Sequence, residues 1–103
     1  MDDEKILTII KNTVYLIPGV KGFADYKATP KDELSTKDVV RSVEFNVKND
    51  NNHLMIHLIL LNGFNMKNVL REVQYRIKFE LEKASEYTRS YIVDLVVDDI
   101  INE

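Results

Sequence analysis

Ile17-Pro18-Gly19-Val20-Lys21-Gly22 is the stretch that decides how this chain folds. It gathers one of the two prolines and two of the three glycines onto a single corner. Proline lacks the N–H that would continue a helix and glycine accepts a positive φ, so a helix reaching this corner has to stop. Such a helix does arrive. Residues 3–17 carry Ile6, Leu7, Ile10, Val14 and Ile17 at helical spacing, and Asp2 and Asp3 provide a cap and negative charge at its start.

Downstream of the corner, residues 23–41 mix Lys, Asp, Thr, Ser and Pro with few apolar positions, which predicts mostly loop. Thr29-Pro30-Lys31-Asp32 could open one helical turn, but nothing apolar extends it. From Ser42 to Lys48 the residues alternate, with Val43, Phe45 and Val47 on one side, as in a half-buried strand. Asn49-Asp50-Asn51-Asn52 reads as a turn, and His53 to Leu61 as a second strand completing a hairpin. Its even positions, Leu54, Ile56, Leu58 and Leu60, are all apolar, which predicts a central strand.

Gly63 ends that strand and Asn65 caps a second helix, with Phe64 placed to staple onto Val69. The expected core stripe is Met66, Val69, Leu70, Val73, Ile77, Leu81 and Ala84. Residues 91–97 form the last strand, with Val93, Leu95 and Val97 on one face. The predicted fold class is α+β, a single domain over residues 1–103 in the order α-β-β-α-β. It has a three-stranded mixed sheet with two helices packed on one face. The hairpin pairs antiparallel, and the third strand returns parallel to the second by a right-handed crossover. Strand order 1-2-3 suits the apolar second strand, and 2-1-3 is the alternative.

The 103 residues include no cysteine, so a disulfide framework and thiolate metal sites are excluded and a reducing, cytoplasmic setting is expected. No apolar run reaches the roughly 18 residues of a membrane span, and the acidic start is unlike a signal peptide. A net charge of −3 argues against nucleic-acid binding through phosphate neutralisation. Lys67, Arg71, Arg76, Lys78 and Lys83 on the second helix are interleaved with Glu72, Glu80, Glu82 and Glu86, the pattern of a solvated face.

Few residues are arranged for chemistry. His53 and His57, four apart, could share a metal on a helix, but on a strand they stand roughly 13 Å apart, too far for one ion. Asp94, Asp98, Asp99 and Glu103 concentrate acid near the C-terminus and read as a solvated strand end rather than a hard-cation site. Gly19-Val20-Lys21-Gly22 spells the G-x-x-G of loops that clamp RNA backbone, although here it precedes the strands. No nucleophile motif or phosphate-binding loop is present, so no catalytic residue, cofactor or metal is expected.

Surface that is too apolar is the stronger signal. Tyr75 and Phe79 lie a turn apart, roughly opposite Val73 and Ile77, and either meet a protein partner, are covered by the loop at Phe23 and Tyr26, or are plainly exposed. With both helices on one side of the sheet, Met55, Ile59, Leu61, Ile92 and Val96 fall on the other, where an uncovered sheet would pair with another copy or another protein.

The element order, together with Ile17-Pro18-Gly19-Val20, Gly63, Arg71-Glu72-Val73-Gln74 and Val93-Asp94-Leu95-Val96-Val97-Asp98-Asp99-Ile100, resembles the alkaline shock protein twenty-three family of Gram-positive bacteria. The likeness runs over nearly the whole chain and departs at residues 23–41 and in the sidedness of the second helix. It implies a non-enzymatic cytoplasmic protein tied to alkaline or cell-envelope stress. For some members it also implies attachment to the membrane through a separate small anchor protein and assembly into higher-order structures. The function expected is a stress-associated adaptor or scaffold acting through protein contacts and self-association. The alternatives are an accessory subunit of an enzyme of membrane-lipid metabolism, and an RNA-binding module using the Gly19–Gly22 loop.

Overall fold

The computed structural model describes residues 2–48 and 51–103. Helix α1 spans Asp3–Val14, and the Asp2 carboxylate accepts from the Lys5 N–H at 2.8 Å to satisfy one of the free donors of its first turn. The helix ends three residues before Ile17, because Leu16 and Ile17 turn back with N–H bonds to Thr13 and Val14. Ile17 is still buried. The apolar periodicity therefore outlives the helix by one turn.

Five strands follow where the sequence predicts three: β1 (Val20–Ala24), β2 (Ser35–Thr36), β3 (Val43–Lys48), β4 (Asn51–Leu61) and β5 (Tyr91–Ile101). A 3₁₀ turn, Val39–Ser42, leads into β3, and helix α2, Met66–Ala84, joins β4 to β5. Residues 23–41 are mostly loop, as predicted, with short regular elements inside them. They supply the end of β1, all of β2 and most of the 3₁₀ turn. Of the predicted turn at 49–52, Asn51 and Asn52 belong to β4, while Asn49 and Asp50 lie outside the described residues.

The predicted order of the central strands is present as β3-β4-β5, with β3 antiparallel and β5 parallel to β4. The extra strands fit because β4 is 11 residues long, about 36 Å at the usual rise. β5 takes one edge of β4 along its length. β3 pairs with Asn51–Ile56 and β1 with Leu58–Leu60, so the two share the other edge end to end, and β2 extends the sheet beyond β1. β5 makes a bulge between the Leu58–Val97 and Ile59–Asp99 pairs, leaving Asp98 as the extra residue.

One core lies between the helices and the even-numbered face of β4. Ile10 and Val14 of α1 and Val73, Ile77 and Leu81 of α2 meet Phe23, Leu54, Ile56, Leu58 and Leu60, with Tyr91 and Val93 of β5. Fully burying each aliphatic side chain of this kind is worth roughly 1.5–3 kcal/mol. Two ends of the expected α2 stripe fall short of the core: Met66 is exposed and Ala84 only half-buried. Asn65 caps α2 as predicted, its side-chain oxygen accepting from the Asn68 N–H at 3.0 Å.

Candidate interaction surface

Helix α2 presents its outer face beside the free edge of the sheet. Tyr75 and Phe79 stack at 6.3 Å between centroids with 14° between planes, and they are 67% and 43% exposed. The Lys83 ammonium sits 5.9 Å from the Phe79 ring centre. Neither aromatic is covered by the 23–41 segment. Phe23 points into the core, edge-on to Tyr15 at 5.6 Å, and Tyr26 lies on the opposite side of the sheet.

Next to this pair α2 sends three polar side chains onto the start of β5. Gln74 Nε2 donates to the Val93 carbonyl at 2.6 Å, and Lys78 Nζ donates to the Tyr91 carbonyl at 2.9 Å. Glu82 Oε2 accepts from the Tyr91 N–H at 3.4 Å and from Lys78 at 2.5 Å. The Lys78 ammonium holds the Glu82 carboxyl below its ordinary value, outweighing the opposite push of burial. These contacts satisfy edge groups that no neighbouring strand reaches. Between α2 and β5 lies a groove of about 410 Å³, lined by Arg71, Tyr75, Lys78, Ile92 and Val93 among others.

The outer sheet face is less open than the sequence suggests. Register puts Met55, Ile59, Leu61, Ile92 and Val96 on it, yet only Ile92, at 41%, is exposed. Met55, Leu61 and Val96 are half-buried, and Ile59 at 4% is buried within the chain and unable to meet a partner. Much of the face is polar. His57 sits between Glu44 on β3 and Asp98 on β5, its Nε2 2.6 Å from one carboxylate and its Nδ1 2.7 Å from the other, with the Tyr26 ring stacked on it at 5.1 Å. Bonding both carboxylates takes two N–H donors, and a neutral imidazole has one. The sequence presents His57 without this setting, because Tyr26 comes from the turn after β1 and Asp98 from the bulge in β5.

Tyr26 is held there by an ion pair at the root of its segment. The buried Asp25 carboxylate accepts from Arg41 Nε at 2.7 Å and from the Lys27 N–H at 3.0 Å, while the Tyr26 N–H donates to the Arg41 carbonyl. The Arg41 guanidinium holds the Asp25 carboxyl below its ordinary value; burial and Asp32 oppose this but do not reverse it. A carboxylate with a depressed folded-state pKa gives stability that is present above its unfolded pKa and lost as pH falls through the folded value. The stability gap between wild type and Asp25→Asn should therefore be wide at neutral pH and shrink below about pH 4, as read by urea unfolding across that range.

The remaining candidates are occupied by internal contacts. His53 pairs with Asp94 on the neighbouring strand and His57 with Glu44 and Asp98, and among the described residues no group of three or more potential ligands could hold a metal ion. The G-x-x-G stretch is not a free loop: Gly22 lies within β1 opposite Ile59, and Lys21 pairs with Glu103 at 3.0 Å. Among the described residues no helix is long and apolar enough to cross a membrane. No family model matches this chain, and neither does any curated protein or solved structure.

Proposed function

We propose that this chain is a non-enzymatic adaptor or scaffold that works through protein–protein contacts and self-association, in the manner of the alkaline shock protein twenty-three family that its sequence resembles. In this reading it is a cytoplasmic protein of cell-envelope homeostasis, brought to the membrane by a partner such as a small anchor protein. It uses no cofactor and binds no nucleic acid. The observation that carries the reading is the stacked, exposed Tyr75–Phe79 pair on α2. Aromatic side chains are the usual anchors of protein interfaces, and this pair takes no part in the chain's own core. Self-association draws on Ile92 and the half-buried Met55, Leu61 and Val96, with Ile59 removed from the set.

The test compares wild type with Tyr75→Ala/Phe79→Ala by affinity capture and mass spectrometry. Both residues are exposed, so the double variant should unfold within about 0.5 kcal/mol of wild type while losing a captured partner. Sedimentation from micromolar to near-millimolar concentration should show reversible association. A strictly monomeric protein whose captured set is identical in both forms would refute the adaptor reading.

A further inference from the structure

We infer that the open edge of β5 accepts a short extended segment of a partner protein as an added strand, with an acidic side chain of that segment facing Arg71. This rests on the adaptor reading and specifies the partner's chemistry. Among the described residues no strand pairs with the second edge of β5. The side chains of Gln74, Lys78 and Glu82 close that edge only at Tyr91 and Val93. Since backbone groups alternate sides along a strand, those of Leu95 and the N–H of Val97 face the same way. Among the described residues no side chain bonds them there. A strand laid along them would gain the main-chain hydrogen bonds of β-augmentation, with its alternate side chains selecting the sequence.

Charge chooses between occupants. Glu72 is taken by Arg76 and Glu82 by Lys78, but among the described residues Arg71 enters no ion pair, and neither does Lys67 one turn before it. The groove side thus carries unspent positive charge beside the apolar surface of Tyr75 and Ile92. An incoming strand should bring an acid to Arg71 and an apolar residue to Tyr75 on its α2-facing side. A second copy offering its own β5 would instead set Leu95 and Val97 against these cations and add the same cations across the seam. Complementarity therefore favours a different chain.

Selection of a displayed random-peptide library on the folded protein tests this. The enriched peptides should be extended, carry an acidic and an apolar residue two positions apart, and bind Arg71→Glu at least about tenfold more weakly than wild type. On binding, the Leu95 and Val97 amides should gain protection from hydrogen exchange, and Val97→Pro, which removes an outward N–H, should abolish the interaction. Failure to select any peptide, binders indifferent to Arg71→Glu, or unchanged exchange at Leu95 and Val97 would overturn the inference. So would a dimer lost in Val97→Pro but kept in Arg71→Glu, since that is pairing with a second copy. If Tyr75→Ala/Phe79→Ala loses a cellular partner that Arg71→Glu and Val97→Pro both retain, strand addition fails and the adaptor reading stands.

Discussion

Gly19→Ala should destabilise the protein by roughly 2–4 kcal/mol, lowering the melting temperature by about 10–20 °C. Two independent costs add. Gly19 has a φ of +94°, a conformation that L-residues rarely adopt. A Cβ placed there would also lie 2.7 Å from Val69 Cγ2 and 3.0 Å from Phe64 Cγ. Val69 is buried and β-branched, so it has little freedom to turn aside. The other glycines separate the two costs. Gly63 shares a positive φ of +99° but meets nothing, so Gly63→Ala should cost about 1 kcal/mol from backbone strain alone. Gly22 has neither problem, and Gly22→Ala should be nearly neutral within about 0.5 kcal/mol. Thermal or urea unfolding of the three variants should rank them in that order. An equal cost at Gly19 and Gly63 would mean that the α1–β1 corner does not pack against the start of α2.

That corner also shows which parts of the fold were legible beforehand. Pro18 and Gly19 announce the end of a helix through backbone chemistry, which acts locally and can be read from neighbouring residues. The β3–β4 hairpin and α2 were legible for a similar reason, since each runs long enough to display its period. β1 was not. Val20-Lys21-Gly22-Phe23-Ala24 has five residues, a glycine at its centre and a bulge between Val20 and Gly22, so no alternation can show. Its pairing is decided by the spare length of β4, some 35 residues away in sequence, and β2 at two residues is shorter than any period. The candidate surface divides along the same line. Tyr75 and Phe79 were found because helical spacing alone turns them from the core. Ile59 is buried by strands the sequence does not declare, so its periodicity alone does not reveal it. The closing of the β5 edge by Gln74, Lys78 and Glu82 arises from the register of α2 over β5, and no local pattern carries that information.

Phe23→Ala should cost about 3–5 kcal/mol, a large share of the 5–15 kcal/mol that holds a domain of this kind together. Phe23 is wholly buried in the common core, and its ring meets Tyr15 edge-on at 88°. Removing it leaves a cavity where α1 meets β1, and the surrounding backbone is tied by the β4 ladder and can collapse only partly. Tyr75→Ala is the informative contrast. It deletes an aromatic ring of similar size from a site that is 67% exposed, and should leave the melting curve within about the range of an ordinary surface substitution, ±0.5 kcal/mol. Comparing the two variants by urea unfolding and by partner capture separates folding from recognition. Phe23→Ala should lose stability and keep its partner under conditions where it remains folded, because the cavity lies beneath α1 and β1 while the α2 face and β5 edge stay in place. Tyr75→Ala should do the reverse. If Phe23→Ala were harmless, β1 would be a loose flap, and β4 would have an unpaired edge at Leu58–Leu60 competing with β5 for any strand a partner could offer.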